Sequence, residues 1–193
     1  MRPTLDLLGH PSPRVRQAAF WVVGSTVQSN PKTQELVFKY GALPTILAPI
    51  QAAADAAAAA GSALAAADPR VLAKNLYALS ALLRGCAPCL DDFAGRGGAA
   101  ALAALLARLP PDAVWLPVRR KAAALVGDLV QEEGADAAVA RLAAELAGAG
   151  PGAGGTPALL ALLPGLRSGD RELQVQTPPA LRGPGRRGCP DTL

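Results

Sequence analysis

Apolar residues recur at steps of three and four along the segment PRVLAKNLYALSALL, residues 69–83, and this spacing predicts an amphipathic helix. One face of that helix gathers the residues that we expect in the core, which are Val71, Asn75, Ala78, Leu79, Leu82 and Leu83. The opposite face carries Lys74, Tyr77, Ala81 and Arg84. Large polar and aromatic side chains on one exposed helix face favour the binding of a partner there.

Two other segments of the chain can be laid over this one. A shift that sets Val71 on Val15 also sets Tyr77 on Trp21, and a second shift sets Val71 on Val118. Self-similarity at a period of roughly 40 to 50 residues is typical of stacked helical repeats, which bury their apolar faces against one another. We therefore predict an all-α fold built as an α-solenoid.

The exposed faces of the three copies are expected to lie side by side if the copies stack in parallel. Their large members form a set that we call the repeat row. It comprises Trp21, Ser25 and Gln28 of the first copy, Lys74, Tyr77 and Arg84 of the second, and Lys121 and Asp128 of the third. We predict that the repeat row binds the partner.

Prolines and glycines mark where the helices begin and end. Residues 3–9 are predicted to be the last turn of an earlier helix, and each unit then to run as a long, a short and a medium helix. The predicted helices are 14–29, 32–40 and 42–50, then 69–84, 88–94 and 99–109, then 114–131 or 118–131, and 135–146. Leu36 and Val37 are expected to point inward, and Pro49 to stand at a helix end. The alanine-rich insert 51–67 is predicted to extend the medium helix as far as a break at Gly61.

Composition divides the chain into four parts. We predict a repeat domain over 1–147, a linker rich in Gly and Pro over 148–157, a capping helix over 158–167 and a disordered basic tail over 168–193. Because no cap precedes the first repeat, we expect that the true start of the protein lies upstream of Met1.

Bulk composition argues against several classes of function. Hydrophobic residues make up 51% of the chain and aromatic residues 4%, so we expect helices that pack through alanine. The net charge is +4, but the body lacks the interleaved aromatic residues that stack on bases, so nucleic-acid binding is not predicted. No strongly apolar window of 18 residues is present, and no secretory signal is visible, so no membrane association is expected.

The chain offers little catalytic chemistry. Its single histidine, His10, stands in a proline-rich turn, which argues against Ser-His-Asp, Cys-His and histidine-rich metal sites. Cys86 and Cys89 form a CxxC motif, but zinc needs a second pair and a thioredoxin-like site needs a preceding strand, so we expect a reduced pair. Residues 150–155 match the letters of the GxGxxG motif, but no predicted strand precedes them, so a nucleotide-binding loop is not predicted. We expect no enzyme activity, no catalytic residue, no metal and no cofactor.

Three stretches resemble successive armadillo repeats of the Hsp70-binding nucleotide exchange factors, the family of the cytosolic Fes-type factor and its lumenal relatives. They are HPSPRVRQAAFWVVGSTVQSNPKTQELVFKYGALPTIL, NLYALSALLR and VRRKAAALVGDLV, within residues 5–130, and the first is the most specific. The resemblance implies an armadillo-like right-handed superhelix of about three repeats.

The resemblance also implies a function. Proteins of this family are co-chaperones that grip the ATPase domain of a DnaK-type heat-shock 70 chaperone with their concave face and promote ADP release. For this chain, the repeat row would then line that face. We expect a monomer in the cytoplasm, or in the endoplasmic reticulum lumen if an upstream signal is missing.

Two other hypotheses stay open at the level of sequence. An armadillo adaptor would bind an extended peptide through a ladder of asparagines on the long helices, but only Asn75 lies in such a helix, on the face expected to be buried. A remnant of a damaged gene would have no activity, and a cooperative unfolding transition would argue against it.

Overall fold

The computed structural model describes residues 2–58, 67–110 and 112–131. Within these ranges the chain is helical and contains no strand, which confirms the all-α prediction. The helices are α1 (Arg2–Asp6), α2 (Pro13–Val27), α3 (Pro31–Lys39), α4 (Ala42–Ala58), α5 (Pro69–Leu83), α6 (Ala87–Gly95), α7 (Gly98–Arg108) and α8 (Leu116–Gln131). Two short 3₁₀ turns, Leu7–Gly9 and Ala113–Trp115, precede α2 and α8.

The helix ends follow from side-chain chemistry near each boundary. Asn30 caps α3 by accepting a hydrogen bond from the backbone N–H of Thr33 at 3.2 Å, and Asp68 caps α5 by accepting one from the N–H of Arg70 at 2.8 Å. A proline occupies the first position of both helices, where its missing N–H costs nothing. Helices α3 and α5 therefore begin by the same local rule, a side-chain cap followed by a proline.

The long helices pack side by side in sequence order. Helix α2 lies against α5, and α5 lies against α8, while α4 packs against α7 in a second layer. The six core residues predicted on α5 are all buried, and the large side chains of Phe20 and Phe93 are fully enclosed. This arrangement is consistent with an α-solenoid. The right-handed superhelix and its repeat count stay predictions.

Three expectations about single residues were wrong. Leu36 is 42% exposed, because Gln34 and Val37, three positions apart, define the buried side of α3 and leave Leu36 on another side. Pro49 lies inside α4 and does not end it, since the alanines that follow are strong helix formers. Ala81 is buried at 7% exposure, because the close packing of α5 against its neighbours covers a side chain this small.

His10 is a turn residue, as predicted. Its Nδ1 accepts a hydrogen bond from the N–H of Ser12 at 3.1 Å, and its carbonyl accepts one from Arg16 at 2.9 Å. The imidazole is therefore engaged in shaping the entry to α2.

In the part of the chain that the structure describes, no single helix is long and apolar enough to cross a membrane. One pair of helices, Pro31–Lys39 with Ala42–Ala56, reaches the necessary length and apolar composition together, but the two are bent by 78° relative to each other. The predicted break at Gly61, the helix over 135–146, the linker, the capping helix and the tail lie outside the described residues.

Candidate functional site

Two lysines converge on two aromatic rings where α2, α5 and α8 lie side by side. The Lys74 Nζ atom is 5.3 Å from the centre of the Trp21 ring and 5.9 Å from that of Tyr77, and the Lys121 Nζ atom is 5.7 Å from the Tyr77 ring. An ammonium group within about 6 Å of an aromatic face is attracted by the electrons of the ring. Trp21 is 57% exposed, so it is a surface residue and not part of the core.

Tyr77 is held in place by residues of the neighbouring helix α2. Its hydroxyl donates a hydrogen bond to Gln28 Oε1 at 2.8 Å, and the Ser25 hydroxyl lies 3.4 Å from it. The ring rests on Gly24, where an added Cβ would stand 2.6 Å from Tyr77 Cε1. A glycine therefore allows the ring to lie here, because a Cβ at this position would displace it.

A second group links α5 to α8 at the other end of the repeat row. Asp128 accepts hydrogen bonds from the Ser80 hydroxyl and from Arg84 Nη2, both at 2.6 Å. The Arg84 side chain is 52% exposed and that of Asp128 is 28% exposed. This ion pair fixes the direction of Arg84, which keeps half of its surface open to a partner.

The eight residues of the repeat row thus fall into two contact groups along α5. The first unites Trp21, Ser25, Gln28, Lys74, Tyr77 and Lys121, and the second unites Arg84 and Asp128. Their role in binding a partner stays a prediction. Sequence reasoning missed Gly24 and Ser80, although a glycine in the middle of an otherwise regular helix is a signal of close packing.

Three cations among the described residues form ion pairs, and the two lysines of the repeat row do not. Lys39 pairs with Glu35, Arg84 with Asp128 and Arg96 with Asp92. Neither Lys74 nor Lys121 pairs with a carboxylate among the residues described. Their ammonium groups lie near the rings of Trp21 and Tyr77, so this group can accept carboxylates from a partner.

Two buried amides lie beneath the row. Gln34, 3% exposed, donates from Nε2 to the carbonyls of Ala81 and Arg84 at 2.9 and 2.7 Å, and so satisfies the last turn of α5 from α3. Asn75 is fully buried, and neither its Oδ1 nor its Nδ2 has a hydrogen-bond partner. The amide of Asn75 therefore cannot be offered to a peptide on the surface.

The expectation of a reduced cysteine pair was wrong, because Cys86 and Cys89 are joined as a disulfide. Cys86 caps α6 and Cys89 occupies its third position, which brings their Cα atoms to 5.3 Å, within the range that a disulfide bridges. Over the described ranges, no group of three or more His, Cys, Asp or Glu residues could hold a metal ion.

Comparison with known proteins adds a second line of evidence. The sequence profile of the SIL1/FES1/HPBP1 C-terminal domain matches residues 1–145. The "Hsp70 nucleotide exchange factor FES1" of Yarrowia lipolytica is 30% identical over 130 residues, which cover 67% of this chain and 41% of that protein. The protein of the same name in Gibberella zeae is 35% identical over 92 residues, which cover 48% of this chain and 38% of that protein.

A third relative, the "Hsp70 nucleotide exchange factor fes-1" of Neurospora crassa, is 33% identical over 89 residues, which cover 46% of this chain and 31% of that protein. The chain thus spans about two fifths, or less, of the length of these curated relatives. No solved structure matches the chain significantly.

Proposed function

Because the chain belongs to the SIL1/FES1/HPBP1 C-terminal domain family, we propose that it is an adenyl-nucleotide exchange factor and co-chaperone, without enzyme activity of its own. Its partner is the ATPase domain of a DnaK-type heat-shock 70 chaperone, and it promotes ADP release from that domain. The names of its relatives, Hsp70 nucleotide exchange factors, support this proposal.

The observation that carries the assignment of the binding face is the pair of lysines that have no carboxylate partner among the described residues. Lys74 and Lys121 lie over the aromatic rings of Trp21 and Tyr77 on adjacent helices. A hydrogen bond to a charged group contributes about 1.5–3 kcal/mol. We infer that acidic side chains of the chaperone bind these two ammonium groups, and that Trp21 supplies apolar contact area beside them.

The repeat row suits such an interface because two of its large side chains are already held in place. Tyr77 is fixed by Gly24 and Gln28, and Arg84 is fixed by Asp128. Ordering a flexible side chain on binding costs about 0.5–1.5 kcal/mol. A row that is ordered during folding avoids that cost in the complex.

Exchange needs no catalytic residue in this mechanism. If the chain binds the open form of the nucleotide domain more tightly than the closed form, it shifts the equilibrium toward the open form. Linkage then requires that ADP affinity falls by the same factor, and couplings of this kind are typically about 1–3 kcal/mol.

The runner-up, an adaptor for an extended peptide, has less support. Its asparagine ladder would have to include Asn75, and that residue is fully buried on α5. The repeat row could still bind another protein without exchange activity, and this is the outcome that the experiment must separate.

The test is the release of a fluorescent ADP analogue from the ATPase domain of a heat-shock 70 chaperone, with and without this chain. We expect this chain to accelerate the release. Lys74→Glu and Lys121→Glu should each lower the affinity for the ATPase domain by roughly ten- to 150-fold, because each variant loses one charge-assisted contact. Lys32→Glu on α3 makes the same change of charge outside the row and is the matched control.

The outcomes separate the parts of the proposal. No acceleration by a folded sample would contradict the exchange activity and favour the adaptor. Acceleration that all three variants retain equally would contradict the assignment of the repeat row but not the activity. Sedimentation of the free chain tests the expected monomer.

The compartment is also a proposal. The sequence predicts the cytoplasm, with the endoplasmic reticulum lumen as the alternative. Disulfides persist in oxidising compartments, so the Cys86 to Cys89 bond supports the lumenal alternative. Fractionation of cells that express the complete protein would decide between the two.

A further inference from the structure

The turn between α5 and α6 places two sulfur atoms in unequal surroundings. Cys89 is fully buried, whereas Cys86 keeps 9% of its surface exposed. The residues that flank Cys86 and Cys89 in the turn, Gly85, Ala87 and Pro88, are exposed, and none of them has a long side chain. Cys86 is therefore the more accessible of the two residues to a reagent that approaches from solvent.

The disulfide adds little to the stability of the fold by closing a loop. Its two cysteines are only three positions apart, and the entropy that a disulfide removes from the unfolded chain grows with the length of the loop. The turn is already fixed by backbone hydrogen bonds, from Cys86 N–H to the Leu83 carbonyl at 3.1 Å and from Leu90 N–H to the Cys86 carbonyl at 3.0 Å. The turn can therefore keep its shape when the disulfide is opened.

The helix supplies part of the chemistry that thiol exchange needs. Cys86 is the N-cap of α6, where the positive end of the helix dipole stabilises a thiolate. In a CxxC pair whose first sulfur is more accessible and whose second is buried, external thiols attack the first sulfur, and the second resolves the mixed disulfide. Among the residues described, no further His, Cys, Asp or Glu completes a metal site with the pair.

We propose that Cys86 and Cys89 form a dithiol–disulfide exchange site that reacts with external thiols. An external thiolate attacks Sγ of Cys86, the bond between Cys86 and Cys89 breaks, and Cys89 leaves as a thiolate. A second external thiolate attacks the external sulfur of the mixed disulfide and releases Cys86. Two external thiols are thereby oxidised to one disulfide, and their two protons end on Cys86 and Cys89.

The reverse direction uses the same atoms. The thiolate of Cys86 attacks an external disulfide, whose S–S bond breaks and releases one external thiolate. The thiolate of Cys89 then attacks Sγ of Cys86, and the second external thiolate leaves as the bond between Cys86 and Cys89 forms. The buried position of Cys89 protects it from external reagents but leaves it next to the sulfur that it must attack. This asymmetry is what the experiment measures.

The first experiment equilibrates the full chain, in a Cys189→Ser background, with glutathione buffers of varied reduced-to-oxidised ratio. Thiols are then quenched in acid, alkylated and counted by mass spectrometry on the peptide that carries both cysteines. We expect a reversible transition from disulfide to dithiol within the range of these buffers. A pair that stays oxidised, or stays reduced, at every ratio would overturn the proposal.

The second experiment assigns the roles of the two sulfurs. With oxidised glutathione, Cys89→Ala should trap a stable mixed disulfide at Cys86, and it should form on the order of tenfold faster than modification of Cys89 in Cys86→Ala. Equal rates in the two variants would contradict the assigned order. Circular dichroism checks that each variant is folded, and the titration of the unaltered pair decides the proposal if Cys89→Ala does not fold. Neither measurement depends on exchange activity toward a chaperone.

Discussion

Replacing Gly24 by alanine tests whether the contact between α2 and α5 positions Tyr77. A Cβ at residue 24 would stand 2.6 Å from Tyr77 Cε1, 2.7 Å from Cδ1 and 3.1 Å from the Cα atom of Ala78. The first two distances are shorter than van der Waals contact allows, so the ring must leave its position. We expect Tyr77 to lose its hydrogen bond to Gln28.

The size of the effect follows from two opposing terms. Overpacking a filled contact costs about 1–3 kcal/mol, and replacing a glycine by alanine inside a helix gains about 1 kcal/mol. We therefore expect Gly24→Ala to lower the free energy of unfolding by about 0–2 kcal/mol when Tyr77 is present. In a Tyr77→Ala background the ring is gone, and the same change should be neutral or stabilising by up to about 1 kcal/mol.

Denaturant unfolding of the two single variants and the double variant gives the coupling between the sites. We expect a coupling free energy of about 1–3 kcal/mol, since the two residues share one contact. Gly95→Ala is the control, because a Cβ at Gly95 meets nothing within 4 Å and its effect should not depend on Tyr77. A coupling below about 0.5 kcal/mol would refute the contact as the cause.

Four further changes test the described interactions. Gln34→Leu removes both hydrogen bonds to the end of α5 and should lower the free energy of unfolding by about 1–3 kcal/mol; an unchanged denaturation midpoint would contradict this. Asn75→Leu replaces a buried amide without partners, so we expect stabilisation by about 1 kcal/mol, and a loss of stability would imply that the amide is satisfied. Asp128→Asn weakens the link between α5 and α8 and should cost up to about 1 kcal/mol at low salt, an effect that should shrink in 1 M salt; equal losses at both salt concentrations would argue against an ionic contribution. The Lys39 ammonium, by its hydrogen bond and its charge, holds the pKa of Glu35 below its ordinary value of 4.5, so the pair stabilises the fold above that value and loses its effect as the pH falls through the lowered pKa. An NMR titration of Lys39→Gln should return the pKa of Glu35 toward its ordinary value, and an unchanged pKa would exclude Lys39 as the cause.

Much of the helix order could be predicted from local signals alone. Prolines at first helical positions, capping residues such as Asp68 and glycines at helix ends are read within a few residues of each boundary. The spacing of apolar residues then identified the buried side of α5, including Asn75. These features depend only on the backbone and on the period of the helix, so no knowledge of the neighbouring helices was needed.

The repeat row shows where such reasoning stops. The alignment of the three copies predicts which residues are equivalent, but it does not predict which of their atoms are in contact. The position of Lys74 over Trp21 and the bond from Tyr77 to Gln28 depend on the distance between α2 and α5. Gly24 permits this close approach, because a Cβ at that position would stand 2.6 Å from the Tyr77 ring.

The sequence by itself determined the helical class, the approximate boundaries of the helices and the resemblance to an exchange-factor family, because all three depend on short-range patterns of residues. Tertiary structure decided the exposure of Trp21, the burial of Ala81, the use of Gln34 to satisfy the end of α5, and the pairing of Cys86 with Cys89. Each of these depends on the surroundings that other helices or a folded turn create around a side chain. Apart from the cysteine pair, which is close in sequence, these contacts join residues far apart along the chain, and their spacing does not indicate how close they lie in space.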